Sequence, residues 1–464
     1  GYLEVIRMQV SVALRARAKL ALLLRSLLHA ACQGNDQEQI DPRNLRTFRQ
    51  LLLALLAKRS TRLLTLAQAI LPQRLANSVK AVAMGLGYFL EKAQFPMQPF
   101  AIRLLEAALH RLAPERLAWY RGKVLLVIDP TDYAKRSRGR GKRGRQMQYI
   151  GRVRKAKASG KRKGKAAKGT AKVTTTFGYV DVWAGLVLKA KQFLPLARCL
   201  FSSNHPQIKS QNQVEEALLR QALGLLERVG LAGIVVGDRG LGRKELIIDL
   251  VRQGLDLVLR IDADILVRAA GGIPGEALLA VVLAGQPWLG EVEWDRGEEG
   301  KLRCRARAVR GTIRFSRSGR KADYAEATLN FLQLVPVEGN EESLVVATTL
   351  PVDTLADAKG VAGVYAQRWA VESAFETMHA WGQDRFMVRP WEAIDRLLWI
   401  VALAYALVVL ALQEAKLVAF RKQAVAVLKC LSVLGRRLTV GKLAEAISLD
   451  FSKHKVAWAS VWFG

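Results

Sequence analysis

The sequence predicts an α/β protein whose core is interrupted by an all-β insertion and preceded by an α-helical region. Three observations carry that prediction. Residues 1 to about 120 repeat aliphatic side chains at helical spacing, with Arg and Lys on the remaining faces. From Val124 onward, runs rich in β-branched and aromatic residues appear and then alternate with amphipathic helices. Between about 266 and 343, strand-like runs follow one another without a helix. The resulting organisation is a helical region over 1–120, the first part of the core over 121–265, the insertion over 266–343, the end of the core over 344–415 and a helical, basic C-terminal region over 416–464.

Taken in order, Leu51 to Leu56, Leu63 to Ile70 and Ile102 to Leu112 read as helices, punctuated by Pro72, Pro96, Pro99 and Pro114. The stretch from Thr61 to Phe89 suits either a helix-turn-helix or a plain helical packing unit. Strands are expected at Val124–Ile128, Thr174–Val182 and Gly185–Leu194. A helix over Val214–Val229, a strand ending at Asp238, a helix over Arg243–Gln253 and a strand over Leu255–Ile261 complete the first core segment. In the insertion, Gly290–Arg296, Lys301–Val309 and Asn330–Val337 are strand-like. Leu344–Leu350 returns to the core, and a single helix is expected from Asp353 to Trp381.

Charge narrows the partners. The formal net charge is +32, from 72 Lys and Arg against 40 Asp and Glu. Such an excess calls for a polyanion: nucleic acid first, an anionic membrane surface second. The 51% hydrophobic content supplies a sizeable core and excludes global disorder. Cys32, Cys199, Cys304 and Cys430 are scattered without a CxxC pair, which suits a reducing compartment and neither a zinc ribbon nor a disulfide framework. Leu14 to Ala31 reads as an amphipathic helix. The apolar run Leu397–Leu412 falls short of the roughly 18 residues of a spanning helix and reads as a buried one, so no membrane partner is expected.

Three carboxylates stand out against this frame. Asp129 follows Val124-Leu-Leu-Val-Ile and Asp238 follows Ile234-Val-Val-Gly, each where a buried strand would end. Glu372 lies on the long helix, with Arg368 one turn before it and Tyr365 one turn earlier still, on one face. Carboxylates from two strand ends and a helix can hold a pair of hard divalent cations, and such a pair catalyses in-line displacement at phosphorus. Asp132, Glu245, Asp262, Asp264 and Glu376 lie close enough in sequence to compete for the role, Glu376 most directly.

This combination resembles the DDE transposases of bacterial insertion sequences, the group marked by Tyr-x2-Arg-x3-Glu-x6-Lys. Tyr365, Arg368 and Glu372 match that signature, and His379 stands at the place of its lysine. Asp129-Pro-Thr-Asp132 looks like the group's first catalytic motif and Gly237-Asp238-Arg239-Gly240 like its second. The resemblance covers about residues 40 to 415. It implies a ribonuclease H-like core whose first and fourth strands lie side by side, bringing Asp129 to Asp238, with the insertion placed before the helix that carries Glu372.

The resemblance also implies an activity. Asp129, Asp238 and Glu372 would be catalytic and would hold two Mg²⁺ (or Mn²⁺) ions. Arg368 would fork onto a phosphate near the cut, Tyr365 would bond an adjacent one, and His379 would make a contact weaker than lysine's. The substrates would be double-stranded DNA, as terminal inverted repeats and target, handled by a homodimer in cut-and-paste movement within a bacterial cytoplasm. The helical N-terminal region would recognise the repeats. A transposase-derived DNA-binding or architectural protein without catalysis is the alternative, and His379 leaves room for it.

Further DNA contacts are expected away from the carboxylates. The run from Lys135 to Lys168 contains 16 Lys and Arg and no acid, with Lys142, Arg143, Lys161, Arg162 and Lys163 among them. It would condense on phosphates without reading base sequence. Lys301, Arg303, Arg305 and Arg307 alternate at the strand period, giving a basic face that is either simply exposed or turned to DNA. Arg239 follows the second aspartate. Trp369, with Trp288 or Trp294 of the insertion, would hold a base flipped out of the duplex, as in hairpin-forming members of the group, with Trp288 the better placed at a turn after Pro287.

Overall fold

The computed structural model of the 464-residue chain describes residues 23–32, 40–70, 78–135, 147–154, 175–208, 210–270, 275–316, 323–339 and 341–413. Lys142, Arg143, Lys161, Arg162 and Lys163 lie outside these residues. So do most of the basic run, the start of the Leu14–Ala31 helix, the link over 71–77 and the whole 416–464 region.

The N-terminal region is helical, as its spacing predicts. It comprises α1 (Leu23–Cys32), α2 (Pro42–Lys58), α3 (Leu63–Ile70), α4 (Val79–Lys92) and α5 (Met97–Arg111). Two starts are set by short polar side chains: Asp41 accepts from the Arg43 amide and Ser78 from the Ala81 amide, satisfying donors that the helix cannot. Phe48, Phe95 and Phe100 stack where α2 and α5 meet.

The strands form one extended mixed sheet. In chain order the elements are β1 (Trp119–Tyr120), β2 (Lys123–Lys135), β3 (Gly151–Arg154), β4 (Thr175–Leu188), β5 (Gln192–Phe201), α6 (Gln211–Arg228), β6 (Gly233–Gly237), α7 (Lys244–Arg252), β7 (Asp256–Arg260), β8 (Leu266–Ala269), β9 (Ala277–Leu278) and α8 (Leu279–Ala284). They continue with β10 (Gly290–Asp295), β11 (Lys301–Phe315), β12 (Ala325–Pro336), β13 (Leu344–Thr348), α9 (Leu355–Ala366), α10 (Trp369–Ala380) and α11 (Trp391–Gln413).

At the core, β5, β4 and β2 pair antiparallel, and β2, β6 and β7 pair parallel. β13 closes antiparallel on β7 and passes the sheet on to β12 and β11. The parallel strands are bracketed by α6 and α7, the crossover connections that parallel pairing demands. Their residues are buried on both faces, hence the unbroken run Ile234-Val-Val.

Helix α11 is the hub of the core, packing on β5 and on α2, α4 and α5. It is long and apolar enough to cross a membrane by length and composition, and 89% of its most apolar window is buried inside the protein. A buried ion network ties it to the sheet. Arg198 of β5 bonds Asp181 of β4 at 2.8 Å and Asp395 of α11 at 2.8 Å, and the Tyr133 hydroxyl donates to Asp181 at 2.9 Å.

Several expectations need correction. Asp129 does not end its strand: β2 runs on to Lys135, with Asp129 opposite Trp183 of β4, because the long antiparallel partner gives the backbone a ladder to continue on. Thr174–Val182 and Gly185–Leu194 are not two strands. β4 is continuous to Leu188, and the hairpin turns at Ala190 and Lys191, both at positive φ, where the sequence offers no glycine. The expected helix over Asp353–Trp381 is two helices, α9 and α10. Between them Gln367 and Arg368 bond three residues back, tightening the turn that presents Arg368. The segment over 266–343 is not purely β and not separate: it contains α8 and shares the core's sheet through β12 and β13.

Candidate active site

The register between β2 and β6 creates the site. Ile128 pairs with Gly237, so the next residues, Asp129 within β2 and Asp238 just past the end of β6, stand side by side. Adjacent strands lie about 4.8 Å apart, which sets the scale of their separation. Gly237 also pairs with Leu259 of β7, which extends the same row by one residue to Arg260. The row therefore reads Asp129, Asp238, Arg260, with Arg260 Nη1 3.8 Å from Asp238 Oδ1. After Asp238 the chain turns at once. A Cβ on Gly242 would come 2.4 Å from the Arg260 carbonyl oxygen, so this turn needs glycine there.

The α9–α10 bend supplies the other side chains. The Tyr365 hydroxyl donates to Asp238 Oδ1 at 3.1 Å. Arg368 Nη1 bridges two carboxylates, 3.1 Å from Asp129 Oδ2 and 2.6 Å from Glu372 Oε1. The structure thus brings together Asp129, Asp238, Tyr365, Arg368 and Glu372. His379 lies further along the same face, its Nε2 3.5 Å from the Thr131 hydroxyl and its ring 6.0 Å from that of Tyr133.

Burial and charge crowd this cluster. Burial is the main cause that pushes the Asp129 carboxyl up to about 7. Arg368 opposes the shift, while Glu372 and Asp238 add to it. Glu372 is raised as well, chiefly by burial. Burial works against the Arg368 charge, yet Asp129, Tyr365, Glu372 and Asp238 outweigh it and hold the guanidinium firmly protonated. His379 is lowered by burial, so its imidazole is neutral at neutral pH.

The donor chemistry, carboxylate oxygens from three elements, fits a hard divalent cation such as Mg²⁺ or Mn²⁺. The arrangement described here neutralises them differently, with a guanidinium between Asp129 and Glu372. Among the described residues, no three His, Cys, Asp or Glu side chains are grouped closely enough to share an ion. Two buried donors beside the site have no partner, Arg368 Nε and Trp369 Nε1.

The segment over 266–343 approaches the site at the turn between β10 and β11 and at Glu342. Trp369 packs under the turn between β10 and β11, where a Cβ on Gly297 would lie 3.0 Å from its ring. The Arg368 guanidinium sits 4.9 Å from the Trp369 ring centroid. Trp294, near this end of β10, is buried. Trp288 precedes the other end of the strand, where Gly290 packs against Leu355 at the start of α9. It is exposed and stacks under Arg307 at 4.7 Å. The length of α9, roughly 18 Å for 12 residues, separates the two ends, so Trp294 and not Trp288 is brought toward Trp369.

The basic face of β11 is half paired, with two carboxylates against its four cations. Lys301 pairs with Glu293, and Arg303 lies 3.4 Å from Glu291, both across the ladder to β10. Arg305 stands opposite Glu291 in register, and Arg307 bonds the Gln333 side chain at 2.8 Å. Arg239 pairs with Asp262 at 3.1 Å and Glu342 at 2.7 Å. Sequence reasoning missed Arg260, Arg296 and Glu342. Arg260 was legible in principle, since it closes the strand that follows the Asp238 strand in a parallel sheet.

Residues 207–407 match the family model described as the transposase DDE domain. The match supports the resemblance to insertion-sequence DDE transposases. The match includes Asp238, Tyr365, Arg368, Glu372 and His379, whereas Asp129 lies before it. No curated protein matches the chain.

Proposed function

We propose that this protein is a DNA transposase that cuts at the ends of a mobile element and joins the resulting 3′-hydroxyls to target DNA in cut-and-paste movement. One observation carries the reading. Asp129, Asp238 and Glu372, from β2, β6 and α10, converge on a single Tyr365–Arg368 pair. The strand order β5-β4-β2-β6-β7 supports the ribonuclease H-like reading of the core, and the net charge of +32 supports double-stranded DNA as the substrate. The complete Asp, Asp, Glu set speaks against a descendant that only binds DNA.

Asp129, Asp238 and Glu372 would hold two Mg²⁺ or Mn²⁺ ions, which supply Lewis-acid activation of the attacking oxygen and stabilise the leaving one. Arg368 would take a phosphate oxygen beside the scissile bond once DNA displaces a carboxylate from its guanidinium, whose planar fork suits two such oxygens. Tyr365 fixes the Asp238 carboxylate. His379, uncharged, serves as a hydrogen-bonding contact and not as a cation. We place the protein in the bacterial cytoplasm, as a dimer that synapses two terminal inverted repeats.

The test is cleavage of end-sequence DNA in Mg²⁺ by Asp129→Ala, Asp238→Ala and Glu372→Ala. Each should lose cutting while binding DNA nearly as the wild type does, because Lys and Arg contacts to phosphates supply most of the affinity. A variant that still cuts at full rate removes that residue from the site, and Glu376→Ala failing while Glu372→Ala cuts would shift the assignment by one turn.

A further inference from the structure

Two consecutive glutamates, Glu341 and Glu342, lie just before β13 and engage arginines that border the carboxylate row. Glu341 pairs with Arg296, at the turn over Trp369. Glu342 reaches two arginines at once: its Oε1 is 2.7 Å from Arg239 Nη2 and its Oε2 is 3.2 Å from Arg260 Nη2. Arg239 follows Asp238 directly, and Arg260 stands beside Asp238 in the row set by β6 and β7. In a chain with 72 basic and 40 acidic side chains, this acid sits where the cations face the chemistry.

We infer that Glu342 occupies the place of a DNA backbone phosphate between Arg239 and Arg260, and that the duplex must displace it to engage the site. The inference rests on the transposase reading. A carboxylate that gives one oxygen to each of two guanidiniums presents what the two non-bridging oxygens of a phosphodiester present. The Glu342 side chain is 68% exposed, so leaving costs it no burial. Exposed Arg–carboxylate pairs are weak, which makes this one displaceable by a polyanion that brings many phosphates at once. Glu342 thereby acts as an internal competitor: it keeps the arginines from collecting unspecific polyanions and admits a substrate bound at several other points.

The experiment measures equilibrium binding of the full chain to a labelled duplex of about two helical turns, by fluorescence anisotropy in EDTA so that nothing is cut. Glu342→Gln should tighten binding on the order of 3- to 10-fold. In the Arg239→Gln/Arg260→Gln background the same change should have no effect, because the masked cations are gone. Glu338→Gln removes the same charge from the preceding turn, where Glu338 is exposed, and should tighten binding less than about twofold. Thermal melts check that the variants fold alike. Equal tightening by Glu338→Gln, persistence of the effect without the arginines, or no tightening by Glu342→Gln would each overturn the inference. Failure of the wild-type protein to bind duplex DNA at all would instead overturn the proposed function.

Discussion

Arg368 and Asp129 are 239 residues apart in the chain and meet at 3.1 Å, with the same guanidinium nitrogen 2.6 Å from Glu372. One cation thus holds two of the three carboxylates together. Its cost and its consequences can be measured.

The first consequence is a pH-dependent strain. Asp129 titrates near 7 in the folded protein, against about 3.9 when unfolded. Between those values the folded state holds a proton that the unfolded state releases, so stability falls as pH rises from about 4 to about 7. Asp129→Asn removes the titration. In EDTA it should be more stable than the wild type at pH 8, by at most about 4 kcal/mol, with the advantage shrinking toward pH 4. Denaturant unfolding at several pH values reads this, and a constant difference across the range would refute it.

A second consequence concerns the guanidinium as counter-ion. Arg368→Met leaves Asp129 and Glu372 facing each other without it. The loss should be about 2–3 kcal/mol, less than for a fully buried pair because the Glu372 side chain is 35% exposed. A divalent cation can then substitute: added Mg²⁺ should raise the melting temperature of Arg368→Met more than that of the wild type. Equal shifts would mean that these carboxylates do not take the ion.

A third prediction tests the contact between the β10–β11 turn and the helix that carries Glu372. Gly297 has φ +65° and a Cβ there would press on the Trp369 ring at 3.0 Å, whereas Gly300, at φ +85°, has open space around it. Both Gly→Ala changes strain the backbone by about 1 kcal/mol or more. Only Gly297→Ala should also loosen the start of α10, seen as faster amide hydrogen exchange over residues 369–372. Matching exchange in the two variants would show that the turn does not brace the helix.

Much of this protein was determined by its sequence alone. Helical spacing before residue 120, the apolar strands ahead of Asp129 and Asp238, and the Tyr365–Arg368–Glu372 turn are local patterns, and local patterns survive without knowledge of the partner. The family model over residues 207–407 spans Asp238 and the Tyr365–Arg368–Glu372 turn among these. Only the tertiary structure decided the rest, because strand length and side-chain pairing depend on what lies alongside. β2 continues past Asp129 because β4 offers it a ladder, half of the β11 stripe is paired because β10 places glutamates beside it, and Arg260 joins the site because parallel register carries the row one strand further. The placement of Glu342 between two arginines follows from the same sheet, which brings the start of β13 beside the end of β7.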